Sequence, residues 1–245
     1  METIIKSKIF SGHTNLVHGI STRQGGEAPF FNNLSRYVGD DEARVKQNRD
    51  RFFGKLGIDQ ARLVHANQVH SNNVQIITEP GLYKQTDGLI TNKKNLFLVV
   101  SVADCLPVML YDTRNDVIAN IHAGWRGTQK KIIKRGLETL KIEFNTKSEN
   151  LIAYLGPCIS RQNFEVGQEV AGMFNPEFVE ERNGKFFVDI LQDNVSQLKA
   201  FGVKDGQIEI SGFCTFDEKE VLHSYRRDKD KSGRMFAVIG MVKGN

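Results

Sequence analysis

Apolar residues in this chain come as short runs, most of them too brief for a helix. The segments NLVHGIST (15–22), ARLVHAN (61–67), NVQIIT (73–78), LFLVVSV (96–102), PVMLYD (107–112), DVIANIHA (116–123), NLIAYLG (150–156), QIEIS (207–211) and MFAVIGMV (235–242) are rich in β-branched residues and bounded by turn formers. That pattern predicts strands. Helical spacing appears over 40–57, 125–142, 166–174 and 188–200; the first of these opens on acidic residues and stops at Gly57, after the periodic Leu56. Runs of strands with only occasional helices imply an α+β fold with mixed or antiparallel sheets rather than a regular βαβ alternation. No internal repeat, low-complexity tract or Pro/Gly/Ser-rich linker interrupts the pattern, so a single domain over 1–245 is expected.

The apolar runs 101–112 and 116–123 are separated by the polar tetrad DTRN (112–115), which predicts an antiparallel hairpin. With Asp112 to Asn115 as the loop, Cys105 falls directly across from His122, both on one face. After His122 the chain reads AGWRG and then a basic segment with helical spacing. There Arg126, at a strand-to-helix junction, is a candidate anion ligand together with backbone amides. Lys130, Lys131, Lys134 and Arg135 read as a solvated helix face.

Composition narrows the function class. A net charge of +4 permits an anionic ligand but gives no nucleic-acid footprint. No run is long enough to span a membrane, and METIIKSKIF lacks the apolar stretch of a signal peptide. The three cysteines, Cys105, Cys158 and Cys214, are widely spaced and odd in number. They argue against a disulfide framework and for a reducing compartment, the cytoplasm. Cys158 and Cys214 read as structural thiols, with Cys158 also a candidate pocket residue.

A Cys facing a His admits three readings: a buried structural pair, a Cys–His nucleophile, or part of a metal site. The third needs another ligand, and HANQVHS supplies His65 and His70. In a continuous strand these two would point to opposite faces, so at most one joins the centre. Two nitrogens and one thiolate with an open fourth position form a catalytic zinc pattern, and the same set could hold Cu2+.

The segments HGISTRQGG (18–26), HANQVHS (65–71), DGLIT (87–91), VADCLPVMLYD (102–112), IHAGWRG (121–127), YLGPCIS (154–160) and SYRRDKDKSGRM (224–235) together resemble the YfiH/laccase-domain family. The resemblance implies a four-layer αββα-like domain, related to deamidating toxin domains that use a Cys–His pair. It places metal ligands, and with them the catalytic groups, on His70, Cys105 and His122. It implies phosphorolysis of adenosine, inosine or methylthioadenosine and deamination of adenosine. Copper-dependent polyphenol oxidation and amide hydrolysis in cell-wall precursor fidelity are the alternatives. Six histidines are too few for a trinuclear copper cluster beside a further copper, which speaks against a full laccase. Zinc fits deamination, yet no Glu lies in the motifs to shuttle the proton, and Asp104, next to the cysteine, would turn to the other face. Arg23, Arg126 and Arg226 or Arg227 are candidate phosphate binders. Gln68 is a candidate to orient substrate, and Asn33 and Ser35 to close the site. The expected partners are small molecules, a purine nucleoside and phosphate, with no nucleic acid and no membrane, bound by a monomer or homodimer.

Overall fold

The computed structural model describes residues 4–243. In chain order the strands are β1 (Ile4–Ile5), β2 (Leu16–Ser21), β3 (Leu63–Ala66), β4 (Val74–Ile76), β5 (Gly81–Tyr83), β6 (Gly88–Thr91), β7 (Phe97–Val102), β8 (Leu106–Asp112) and β9 (Val117–Ala123). They continue as β10 (Leu151–Leu155), β11 (Glu165–Val166), β12 (Val179–Arg182), β13 (Lys185–Val188), β14 (Ile208–Ile210) and β15 (Met235–Met241). The helices are α1 (Glu42–Lys55), α2 (Trp125–Gln129), α3 (Ile132–Phe144), α4 (Gln168–Ala171), α5 (Ile190–Phe201) and α6 (Tyr225–Asp228). Every strand expected from the apolar runs is present, with ends within two residues of those expected. The unforeseen strands, β1, β5, β6 and β11 to β13, have two to four residues each, too few to show a period.

Two mixed sheets carry the fold, in the orders β1-β2-β15-β7-β3-β5 and β14-β10-β8-β9-β6-β4, and a small third sheet is ordered β11-β13-β12. Strand alternation sorts side chains into three cores. On β7, Leu98, Val100 and Val102 meet Met109 and Tyr111 of β8, Ile118 of β9 and Tyr154 of β10 between the large sheets. Phe97 and Val99 face the other way, onto Phe52 and Phe53 of α1. Leu106, Val108 and Leu110 of β8 likewise turn outward, onto Ile133 and Leu137 of α3 and Leu198 of α5. The layers are therefore α1, sheet, sheet, then α3 with α5. Burial on both faces is why these antiparallel strands read as continuous apolar runs instead of alternating.

Three local expectations are corrected. The helix expected over 125–142 breaks into α2 and α3 because Lys131 is left-handed, at φ 59° and ψ 49°. Its ammonium donates to both carboxylate oxygens of buried Asp193 on α5, at 2.9 and 3.0 Å, a tertiary tie that holds the break. The helix expected over 166–174 shrinks to the single turn α4. In the hairpin, Asp112 is the last strand residue instead of the first loop residue. Its Oδ1 accepts from the amides of Arg114 and Asn115 at 3.0 Å each, and the loop becomes Thr113 to Asp116. Pro107, not Cys105, therefore pairs with His122. The slip is two residues, so the facing of the side chains survives it.

Candidate active site

The site forms where three segments end. His122, 2% exposed, is the penultimate residue of β9 and shares its face with Ile118 of the inter-sheet core. Half-buried Cys105 lies in the bend that enters β8, and His70 lies in the loop between β3 and β4. One ligand atom from each of the three falls within 4.8 Å of the others. Cys105 Sγ stands 3.9 Å from His70 Nε2, and the two imidazoles meet edge to face at 4.9 Å between centroids. Gly124 makes the space: a Cβ there would lie 3.0 Å from Cys105 Sγ and 3.0 Å from His70 Cδ2.

Asp87, wholly buried just before β6, organises this centre. Its Oδ1 accepts from His122 Nδ1 at 2.9 Å and from the His70 amide at 3.1 Å. Its Oδ2 accepts from the amide and hydroxyl of Ser71, each at 2.7 Å, and its carbonyl accepts from the His122 amide at 2.7 Å. His70 sits at φ 56°, uncommon for a residue with a side chain, and the Asp87 carboxylate bonded to successive amides stabilises that turn. Burial pushes the Asp87 carboxyl up, but the bonds from His122 and Ser71 outweigh it and hold the pKa at about 2. An ionised Asp87 requires His122 to donate from Nδ1, which leaves Nε2 free toward the site.

The thiol and imidazole are coupled. Burial pushes Cys105 up, but the charge and hydrogen bonding of His122, then of His70, bring it down to about 6. Burial pushes His122 down, while Cys105 and Asp87 raise it to about 9. Each group of the pair thus favours the charged form of the other. The donor chemistry suits a metal as well: zinc bonds of about 2.0–2.3 Å put tetrahedral donors roughly 3.5 Å apart, a modest contraction of this cluster.

His65, by contrast, packs its ring on Phe236 at 5.6 Å, and burial and nearby arginines lower its pKa to about 4. It stays outside the donor set, although not for the alternation expected, because β3 ends at Ala66 and His70 is a loop residue.

The centre opens into a cleft of about 1050 Å³ that Ser35, Gln68, Arg126 and Arg226 line. Arg126 stacks over Trp125 at 4.2 Å, and its guanidinium has no hydrogen-bond or ion-pair partner among the described residues. Arg226 donates to the Glu165 carbonyl at 2.8 Å and lies over Phe164. Ser35 Oγ accepts from the Tyr37 amide, bracing the cleft's edge. The Gln68 amide is committed to the Ser101 backbone, donating at 2.8 Å and accepting at 2.7 Å, so it fixes the loop's position.

Two expected site residues lie elsewhere. Arg23 belongs to a separate hollow, bonded to the Lys219 carbonyl and stacked on Phe31. Asn33 is fully buried and ties Ser35, Asp40 and Arg234 together, so it builds the wall without reaching the cleft. Arg227 is also structural, donating to the carbonyls of Thr215, Phe216 and Leu222. The Asp104 carboxylate lines the cleft and ties two segments together, accepting from the Thr215 hydroxyl at 2.7 Å and the Arg226 amide at 2.6 Å. Sequence reading missed Asp87, whose signal was its place in DGLIT, the cleft residues Lys229 and Arg234, whose signal was their place in SYRRDKDKSGRM, and Arg36 and Arg49, which lie in no motif.

Residues 17–242 match the sequence profile of a family described as multi-copper polyphenol oxidoreductase laccase. The chain belongs to this family. A purine nucleoside phosphorylase of Bacteroides thetaiotaomicron is 34% identical, with 95% of this chain and 94% of that protein aligned. One from Haemophilus influenzae is 36% identical over 89% of this chain and 91% of its own. Among solved structures, YlmD from Geobacillus stearothermophilus superposes with a TM-score of 0.90 at 29% identity, covering 97% of this chain and 94% of that one. YfiH from Bacillus licheniformis gives 0.88 at 30% identity, covering 92% of each. This laccase-family chain shares their single mixed α+β domain, and no helix among its described residues is long and apolar enough to cross a membrane.

Proposed function

We propose that this protein is a zinc-dependent purine nucleoside phosphorylase acting on adenosine, inosine and methylthioadenosine, with adenosine deamination at the same site. The observation that carries the reading is the His70, Cys105 and His122 donor set in a cleft lined by guanidinium groups, of which those of Arg36 and Arg126 have no hydrogen-bond or ion-pair partner among the described residues. The names of the relatives support the phosphorylase part. In phosphorolysis a phosphate oxygen bonds to C1′ as the C1′–N9 bond breaks, the purine takes a proton, and ribose 1-phosphate is released. Arg126 and Arg226 would hold the phosphate, while Asp87, bonded to Nδ1 of buried His122, would keep that ring's Nε2 turned toward the metal position. In deamination, water adds at C6 and ammonia leaves. A bound zinc supplies Lewis acidity and a more acidic bound water, with His70, Cys105 and His122 holding it. The three free cysteines accord with action in the cytoplasm.

The test is incubation of zinc-loaded protein with adenosine, with and without phosphate, and separation of the products. Adenine appearing only with phosphate, and inosine in both cases, are expected; absence of both products sinks the reading. One observation favours a second reading, a metal-free Cys–His amide hydrolase: the lowered Cys105 thiol beside a raised His122. It requires Cys105 to alkylate rapidly and activity to survive chelators.

A further inference from the structure

The cleft carries more positive charge than one inorganic phosphate calls for. Arg36, Arg49, Arg126, Arg226, Lys229 and Arg234 line it, against the single carboxylate of Asp104, which already accepts two hydrogen bonds. Arg36, Arg126 and Lys229 are exposed and, among the described residues, have neither a side-chain hydrogen bond nor an ion pair. Gathering these cations has a cost that the protein offsets only in part, through Asp104 and the stacked rings. Burial, then repulsion from Arg36, lowers Arg49 to about 10, and burial lowers Arg234 as well. A ligand anion would supply the remaining compensation.

The walls also have a pattern. Four guanidinium groups stack on aromatic rings around the cleft: Arg126 on Trp125 at 4.2 Å, Arg49 on Phe236 at 5.0 Å, Arg226 on Phe164 at 5.2 Å and Arg234 on Tyr225 at 5.4 Å. Interleaved cations and π faces suit a ligand that is itself a flat base joined to phosphoryl groups. At about 1050 Å³ the space lies at the top of the range of about 300–1,000 Å³ that suffices for drug-sized ligands, so a nucleoside leaves much of it empty.

We infer that the cleft binds purine nucleoside 5′-phosphates, carrying their own mono- or diphosphoryl group on exposed Arg36 and Lys229, in addition to free nucleosides. The inference rests on the purine-site reading above and adds the charge class of the ligand.

Trp125 is the chain's one tryptophan and forms part of the wall, so its fluorescence reports occupancy directly. The protein as isolated is titrated with adenosine, AMP and ADP at low salt. Each titration is repeated with chelator, which separates guanidinium binding from ligation to a metal, and with saturating inorganic phosphate beside adenosine. AMP and ADP are expected to bind at least tenfold more tightly than adenosine, with or without chelator, and to lose that advantage as salt rises. Arg36→Ala, which leaves the reporter stack intact, should weaken AMP about fivefold and adenosine less than twofold. AMP no tighter than adenosine overturns the inference, as does an advantage that chelator abolishes, an advantage that saturating phosphate gives adenosine in full, or AMP affinity unchanged in Arg36→Ala. Failure to form adenine from adenosine and phosphate would instead remove the phosphorylase reading while leaving these affinities as measured.

Discussion

Two residues that hold no proton or metal themselves decide whether the centre exists. Gly124 has an ordinary φ of −75°, so alanine fits its backbone, but the added Cβ would press on Cys105 Sγ and His70 Cδ2. Gly124→Ala is therefore expected to lower zinc affinity more than tenfold while shifting Tm by only a few degrees, checked by competition with a chromogenic chelator and by calorimetry. Asp87→Asn keeps the shape and removes the charge that selects the His122 tautomer. Loss of such an orienting partner costs about 10–100-fold in metal affinity. It also removes a force that raises His122, so the metal-free variant should alkylate Cys105 more slowly at pH 7. Faster alkylation would refute the orienting role.

At the level of elements, the two large sheets meet through apolar side chains, with one polar tie in the middle. Asn120 on β9 donates from Nδ2 to the carbonyls of Leu98 on β7 and Ala237 on β15, both at 2.8 Å. Each buried bond contributes about 0.5–1.5 kcal/mol and the truncated side chain leaves a cavity. Asn120→Ala should thus destabilise by about 2–3 kcal/mol in urea unfolding without changing metal content. The outer layer depends on α1, where Asp41 caps the first turn and Phe53 is wholly buried against Phe236. Phe53→Ala should cost about 3–5 kcal/mol. A loss below 1 kcal/mol would mean that α1 is not a structural layer.

The molecule as a whole should be sensitive to mild acid. Burial lowers His18 and His65 to about 4 and His223 to about 3, from 6.5, so all three are neutral in the fold. The unfolded chain takes up these protons first as pH falls. The stability they support is whole above pH 6.5 and is lost progressively toward pH 4. Between pH 7 and pH 5 the summed loss is on the order of 3 kcal/mol, allowing for the partial exposure of His65. Urea midpoints measured at both pH values check this, and an unchanged midpoint would contradict it. The fold as a whole also brings Arg36 and Arg49 near one end of the chain together with Lys229 and Arg234 near the other.

What the sequence determined by itself was whatever local spacing can encode. Apolar runs bounded by turn formers marked the strands of both large sheets, and two adjacent runs carried Cys105 and His122 to one end of a hairpin. The motifs from HGISTRQGG to SYRRDKDKSGRM carried the family. Tertiary structure alone decided the hairpin register, because Asp112 gave its carboxylate to the turn, and the helix break, because Lys131 found Asp193 across a layer. It alone made Asp87 the anchor of His70 and His122, and it alone sorted the arginines, sending Arg23 to a separate hollow and Arg49 to the cleft. The physical reason is common to all four. Alternation and helical spacing repeat along the chain, whereas a buried carboxylate's partners and a loop arginine's direction depend on groups brought close only when the layers close.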